Sequence, residues 1–157
     1  MNATVVGASG YSGRQLVSLL IQHPKINLVE VTSRAYSGKT VESCIPNLRG
    51  KTKGLAFTNP SIEELSKNSK CELFFLALPH GTAASYAIPL LEAGKKVIVC
   101  GGDAEFVMHM GGITTAGRDA ENVDLTYILF DNKQNKSTGG QNSYQEHLSY
   151  THIAKNC

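Results

Sequence analysis

The sequence lacks any run of about 18 consecutive apolar residues, so we expect no transmembrane helix. Its first ten residues, MNATVVGASG, carry no basic flank and no long apolar region, which predicts the absence of a secretory signal peptide. The net charge is only +2, which is too small to indicate nucleic acid or an anionic membrane as a partner. We therefore expect a cytoplasmic protein that binds neither, and the sequence leaves its oligomeric state open.

Cysteines in a metal-binding spacing are also lacking. Cys44, Cys71, Cys100 and Cys157 lie far apart and form no CxxC or Cys/His pattern, which argues against a zinc site. Without a signal peptide we expect reduced thiols. The simplest interpretation is that these thiols are buried or incidental.

What the sequence does contain is typical of one globular domain. Its 157 residues are 41% hydrophobic and 18% charged, so the chain is long enough and apolar enough to bury a core. No internal repeat or low-complexity tract divides it. We predict a single domain over residues 1–157.

Short apolar runs alternate with segments of helical character. They predict strands over residues 4–7, 26–33, 71–79, 95–102 and 124–132. They predict helices over residues 12–23, 61–68, 82–94, 103–118 and 143–155, with long connections over 34–53 and 133–142. In the first helix Leu16, Leu19 and Leu20 are assigned to one apolar face, and Ser61 with Glu64 form a capping box.

The strands show no apolar–polar alternation, which is typical of a parallel sheet covered on both faces. We therefore predict an α/β fold: a three-layer, doubly wound (Rossmann-like) parallel sheet of five or six strands. In such sheets ligands bind at the carboxyl ends of the strands, near the point where the strand order reverses.

The motif GASGYSG follows the first predicted strand and precedes the first predicted helix. Its glycines, Gly7, Gly10 and Gly13, allow a tight turn and close approach of the backbone to a pyrophosphate, and the helix N-terminus favours the negative charge. The motif therefore predicts a dinucleotide-binding loop. The alternative is a glycine-rich turn that binds nothing.

The end of the second strand bears on the choice of dinucleotide. An NAD site usually has Asp or Glu there, whereas this sequence has Thr32, Ser33 and Arg34, the last about 20 residues after Gly13. A hydroxyl and a guanidinium suit a 2′-phosphate and favour NADP. The alternative is that Arg34 is only a solvated loop charge.

Three segments carry a resemblance to a known family: VVGASGYSGRQLVSLLIQHPKINLVEVTSRAYSGK, PNLRG and FFLALPHGTAASYAIPLLEAGKKVI. From about residue 3 to 99 the chain is similar to N-acetyl-gamma-glutamyl-phosphate reductase, an NADP-dependent family of arginine biosynthesis. The resemblance implies that Ser33 and Arg34 face the adenosine phosphate and that Pro79 lies near the nicotinamide. It implies that the pyrophosphate is held by Gly7, Ser9, Gly10, Tyr11, Ser12 and Gly13.

The catalytic half of that family is not matched. The family uses a cysteine and a histidine that belong to a substrate domain, and neither Cys100 nor Cys157 stands in a matching motif. His80 belongs to the cofactor half and is not assigned as a catalytic base. We therefore expect no catalytic residue and no reductase activity.

From about residue 97 to 157 the resemblance changes. The segments VIVCGGDAEFVMHMGGITTAGR and LTYILFDNKQNKSTGGQ are similar to the thiamine-diphosphate-binding domain of phosphonopyruvate and sulfopyruvate decarboxylases. That resemblance implies Mg²⁺ ligands at Asp103, Asn132 and the carbonyl of Gln134. Ala104 replaces a signature glycine, however, and the partner domain that supplies the activating glutamate is missing. Binding of Mg²⁺ and thiamine diphosphate is therefore not expected, and the alternative is that Asp103 only caps a helix.

We interpret the chain as an engineered or recombined chimera, with a reductase-like fragment over residues 1–99 and a decarboxylase-like fragment over residues 100–157. The junction would lie within the strand KKVIV, which fits both patterns. Such a chimera would lack a complete active site and could retain NADP binding. Two alternatives are an NADP-dependent reductase fragment and a thiamine-diphosphate half-site that lacks its partner domain.

Overall fold

Six parallel strands form the central sheet in a computed structural model, which describes residues 1–79, 81–108, 110–119, 124–135, 139–142 and 147–156. Within the sheet the strands lie in the order β3-β2-β1-β4-β5-β6, and every pair of neighbours is parallel. The predicted doubly wound sheet is confirmed. Its strands are β1 (Asn2–Val6), β2 (Asn27–Thr32), β3 (Phe57–Thr58), β4 (Leu73–Leu76), β5 (Lys96–Gly102) and β6 (Leu125–Phe130).

Helices connect these strands and follow the last one. They are α1 (Tyr11–Leu20), α2 (Val41–Cys44), α3 (Ile62–Lys67), α4 (Thr82–Glu92), α5 (Asp103–Met108), α6 (Gly111–Asp119) and α7 (Tyr150–Lys155). The predicted capping box of α3 is confirmed, because Ser61 Oγ accepts from the Glu64 N–H and the Glu64 carboxylate accepts from the Ser61 N–H. No helix among the described residues is long and apolar enough to span a membrane.

The core consists of two buried clusters, one on each side of the sheet. Val5 and Phe75 belong to the same cluster as Val17 of α1. Their sequence neighbours Val6 and Phe74 belong to the other cluster, with Leu65 of α3 and Leu90 of α4. Since successive strand residues point to opposite faces, this division places helices on both sides of the sheet and produces three layers.

The apolar face of α1 differs from the prediction at one position. Leu16 and Leu20 are buried, but Leu19 is 68% exposed. Val17 and Gly13 are buried in its place. The stripe therefore runs along the line of Gly13, Leu16, Val17 and Leu20, as a 3.6-residue period requires.

The prediction that strands are covered on both faces is wrong for β6. All but one of its residues are exposed, including Tyr127 at 41% and Phe130 at 51%. The strand lies at the edge of the sheet and pairs with β5. The last helix, α7, has no buried residue among those described, so it does not provide the missing cover.

Several predicted element boundaries also require correction. The predicted helix 103–118 is divided into α5 and α6, and Gly111 and Gly112 are the first two residues of the second helix. The predicted loop 133–142 contains a short antiparallel pair, β7 (Gln134–Asn135) and β8 (Gln141–Asn142). The predicted connection 34–53 contains α2 and a 3-10 turn at Pro46–Leu48. Only residues 150–155 of the predicted last helix are helical as described, and residues 143–146 lie outside the described part.

Candidate dinucleotide-binding site

The glycine motif forms the turn between β1 and α1, and two of its glycines are required by close contacts. Gly7 has a φ of +82°, and a Cβ there would overlap the Ala77 carbonyl oxygen and lie 2.8 Å from a methyl carbon of Leu78. A Cβ at Gly13 would lie 2.7 Å from the Cα of Ala8 and overlap the Gly7 carbonyl oxygen. The missing side chains therefore let α1 begin directly above the end of β1.

The turn is held between the ends of the two neighbouring strands. The Gly7 N–H donates to Thr32 Oγ1 at 3.3 Å, and the Ala8 N–H donates to the Thr32 carbonyl at 3.0 Å. On the other side the Ala77 N–H donates to the Val6 carbonyl at 2.9 Å. The turn thus lies between β2 and β4, where the strand order reverses and where doubly wound sheets bind ligands.

The N-terminus of α1 is open to an anion. Gly10 precedes the helix in an extended conformation, no side chain of the described residues caps it, and its first turn carries no acidic residue. Tyr11 and Ser12 are exposed at this end. Because the first N–H groups of a helix lack intrahelical partners and carry the positive end of its dipole, they favour a phosphate group.

Ser33 and Arg34 follow β2 directly, as the sequence predicts. The Ser33 side chain is buried, and its Oγ lies 2.7 Å from Ser9 Oγ and accepts from the Tyr36 N–H at 3.3 Å. Its own N–H donates to the Thr58 carbonyl at 2.9 Å. Arg34 is exposed. Ser33 therefore links the glycine turn to the end of β2, while the adjacent guanidinium is free to meet a ligand.

These elements surround one cleft of about 270 Å³. Of the predicted cofactor residues, Gly7, Ser9, Gly10, Ser33, Arg34 and Pro79 line it. Tyr11, Ser12 and Gly13 do not line it: Tyr11 and Ser12 are exposed on the first turn of α1, and Gly13 is buried. His80, next to Pro79, lies outside the described residues.

Sequence reasoning did not assign the other lining residues to the site, among them Thr32, Asn59, Pro60, Thr82 and Tyr86. Thr32 was noted only as a strand end, although its side chain accepts from the glycine turn. Asn59 and Pro60 follow β3, whose two residues are too short for a periodic pattern. Had that strand been predicted, the rule that ligands lie at carboxyl ends of strands would have indicated them.

The predicted magnesium ligands lie at the ends of β5 and β6. Asp103 begins α5 and is buried, whereas Asn132 and Gln134 are exposed. Asn132 Oδ1 accepts from the Gln134 N–H at 2.9 Å, so this oxygen already has one partner. In the part of the chain that the structure describes, no three His, Cys, Asp or Glu residues form a group that could hold a metal ion. Carboxamide and backbone carbonyl oxygens are not part of such a group, so the ligand set of Asp103, Asn132 and the Gln134 carbonyl stays a prediction implied by the resemblance.

Two tyrosines lie near this second region. Burial, followed by the negative charges of Asp103 and Asp131, raises the pKa of Tyr150 to about 12. Burial, followed by the charges of Glu105 and Cys100, raises the pKa of Tyr127 to about 12. Both phenols are therefore neutral at physiological pH.

Two thiols at the centre of the protein lie where burial disfavours the thiolate, which is the nucleophilic form. Cys71 and Cys100 are buried, and burial raises the pKa of each thiol. Thr4 Oγ1 lies 3.1 Å from Cys71 Sγ, which fixes this side chain in the core. Cys157 lies outside the described residues.

The fold, the glycine turn and the open helix N-terminus are those of a dinucleotide-binding domain. A sequence model of the family described as semialdehyde dehydrogenase, NAD binding domain, matches residues 2–136, and the chain belongs to this family. The matched range contains every residue that lines the cleft. It also runs across Val97–Val99, where the chimera hypothesis places its junction.

Curated relatives of high identity match a part of this chain. N-acetyl-gamma-glutamyl-phosphate reductase from Pseudomonas fluorescens is 47% identical over 94 residues, which are 60% of this chain and 26% of the relative. The enzyme of the same name from Desulfotalea psychrophila is 48% identical over 94 residues, again 60% of this chain and 26% of the relative. The chain therefore matches about a quarter of the length of these relatives.

Among solved structures, aspartate semialdehyde dehydrogenase with NADP from Candida albicans matches with a TM-score of 0.53 and 16% identity, over 81% of this chain and 42% of that chain. At this identity the match shows the fold alone. The comparisons confirm the reductase resemblance and the dinucleotide-binding family. They do not support the decarboxylase resemblance or the chimera hypothesis, which stays a prediction.

Proposed function

We propose that the cleft binds NADP and that the chain is the dinucleotide-binding part of a reductase of the N-acetyl-gamma-glutamyl-phosphate reductase type. The observation that carries this proposal is the convergence of the turn Gly7–Gly13, Ser33 and Arg34 on one cleft. The family match over residues 2–136 fits the alternative of a reductase fragment better than that of a chimera, because it extends across the hypothetical junction. The convergence on one cleft argues against the two simpler alternatives, a turn that binds nothing and an Arg34 that serves only as a solvated charge.

Each part of the dinucleotide has a matching group. The pyrophosphate fits over the glycine turn, where a side chain at Gly7 or Gly13 would overlap backbone atoms. The adenosine 2′-phosphate fits beside Arg34, and no carboxylate lines the cleft to repel it. The nicotinamide then extends toward Pro79, on the β4 side of the cleft. NADPH would supply a hydride there, and the role of this chain is to hold and orient the dinucleotide.

Arg34 tests the preference for NADP. Calorimetric titration should show that Arg34→Ala weakens NADP binding roughly tenfold or more, since it removes a charge-assisted contact. The affinity for NAD should change much less, because NAD lacks the 2′-phosphate.

Arg49→Ala is the matched control, because Arg49 is exposed and lies outside the cleft. Equal losses for NADP and NAD in Arg34→Ala would contradict the phosphate role of Arg34. No heat and no rise in melting temperature at millimolar NADP would contradict the proposed function itself.

We further propose that this chain alone holds NADPH without oxidising it. The central thiols have raised pKa values, and a cysteine nucleophile requires a placed base. NADPH absorbance should therefore stay constant when an acyl phosphate or a small aldehyde is added. Turnover that disappears after alkylation of the cysteines would instead favour a catalytically active fragment.

A further inference from the structure

A second cleft, of about 430 Å³, lies between α1 and the segment around the 3-10 turn at Pro46–Leu48. It shares no lining residue with the dinucleotide cleft. Its volume falls within the range of small-molecule sites, about 300–1,000 Å³. It therefore has room for a separate ligand.

The side chains that line this cleft are suited to an anion. Arg14 of α1 and Lys51 bring two positive charges, and no Asp or Glu is among the lining residues, all of which the structure describes. Three carboxamides, those of Gln15, Gln22 and Asn47, add neutral hydrogen-bond donors. Two cations with amide donors and no lining carboxylate form a site for negatively charged oxygen atoms.

Both cations have donors available for a ligand. The guanidinium of Arg14 uses Nε to donate to the Ser9 carbonyl at 3.0 Å, which leaves its terminal nitrogens free. Lys51 Nζ has no ion pair among the described residues. Glu42 is the acidic residue nearest to Lys51 in the sequence. Its Oε1 accepts hydrogen bonds from both the N–H and the Oγ1 of Thr52. Hydrogen bonding from Thr52 and Gly50 lowers the pKa of Glu42, so it stays ionised beside Thr52.

The wall of the cleft is fixed before any ligand arrives. Ile45 and Leu48 are buried and belong to the same core cluster as Leu16 of α1. The Leu48 N–H donates to the Ile45 carbonyl at 3.0 Å, which holds the turn that carries Asn47. A site with this support loses little entropy on binding.

We propose that this cleft binds a small organic dianion, such as a dicarboxylate or a phosphate monoester. The planar guanidinium of Arg14 can hold two oxygens of one acidic group. Lys51 neutralises the second charge, and the carboxamides donate to the remaining oxygens. The shared chemistry of these ligands is two negative charges carried on oxygen groups.

The test uses the ¹⁵N-labelled chain with succinate and inorganic phosphate as separate probes at constant ionic strength. Both probes should shift the side-chain amide signals of Gln15, Gln22 and Asn47 in a saturable way at millimolar concentration. Tighter binding of succinate would identify the ligand as a dicarboxylate, and tighter binding of phosphate as a phosphate monoester.

Lys51→Gln should weaken the binding of either probe roughly tenfold, since it removes one charged contact from an exposed side chain. Lys70→Gln is the matched control, with the same loss of charge at an exposed position outside the cleft. Equal weakening in both variants would show general charge attraction and overturn the proposal. Shifts confined to the backbone amides of Gly10 and Tyr11 would place the anion in the glycine turn instead of the second cleft. This result would also overturn the proposal.

Discussion

Gly10 and Gly13 lie in one turn, but their surroundings differ. A Cβ at Gly10 would lie 3.4 Å from the Gly7 carbonyl oxygen, close to an ordinary contact, whereas a Cβ at Gly13 would overlap that oxygen and press on Ala8. The backbone at Gly10 is extended, with φ −68° and ψ 170°, so any residue can adopt it. The third glycine of the motif is therefore the more restricted of the two.

We expect Gly13→Ala to lower the free energy of unfolding by about 1–3 kcal/mol, the usual cost of overpacking. Alanine in a helix gains about 1 kcal/mol over glycine, and the overlap with backbone atoms outweighs this gain. Gly10→Ala should change stability much less. Urea unfolding of both variants measures the difference, and equal stabilities would show that the turn can move to accept a side chain.

At the scale of single elements, β6 is the most exposed part of the described sheet. Its sequence, LTYILF, carries no charge and no proline, and it lies at the edge of the sheet. Natural edge strands are commonly protected by charges or proline, because unpaired backbone groups otherwise pair with another chain. This strand has neither form of protection.

We expect the chain to self-associate at high concentration through β6, and Ile128→Lys to reduce this association. Ile128 is 37% exposed, so a lysine there can reach solvent and should cost little stability. Light scattering over a concentration series measures the effect. Leu19→Lys, at the exposed position on α1, is the control, and an equal reduction in that variant would show that the association does not involve the strand.

The long elements could be predicted from the sequence, whereas the short ones could not. The apolar runs of β4 and β5 and the Ser61 capping box of α3 are local signals, and each predicted its element. The two-residue strands β3, β7 and β8 have no period to detect, because each is too short to show one, and the pairing of β3 also depends on distant residues of β2. In the site, Gly7 and Arg34 were predicted from their positions after strands, but the contact between Ser33 and Ser9 arises only when β2 lies beside β1.

Exposure is a property of the whole molecule, and sequence patterns predicted it less well. An apolar strand was expected to be covered on both faces, yet β6 is not, since cover depends on what later segments do. Leu19, which the leucine pattern assigned to the core, is exposed for a local reason, because the buried stripe of α1 runs along Gly13, Leu16, Val17 and Leu20.

The response of the whole molecule to alkaline pH should reflect its two shifted tyrosines. The pKa of Tyr127 and that of Tyr150 are each raised to about 12, from about 10 in an unfolded chain. Between these values the unfolded chain releases protons that the folded protein retains. The contribution of these two tyrosines to the free energy of unfolding should therefore be constant below about pH 10 and fall as the pH rises toward 12.

Tyr150→Phe should make this alkaline loss shallower, and urea unfolding at several pH values measures the slope. Among the described residues the Tyr150 hydroxyl is buried without a hydrogen-bond partner, so its removal should not lower stability at neutral pH. Tyr11→Phe, at a side chain that is 86% exposed, is the control. Identical slopes in the wild type and in Tyr150→Phe would contradict the assigned shift.

Every residue that lines the dinucleotide cleft lies between Val6 and Tyr86. The described chain beyond α4 contributes to this cleft only by supporting it, through the parallel pairing that begins at Leu73 and Lys96. The lining of the cleft thus comes from one uninterrupted stretch of the chain, which precedes β5. We expect that segments of different origin could follow this stretch without altering its ligand, provided that each supplies a parallel strand in the same register.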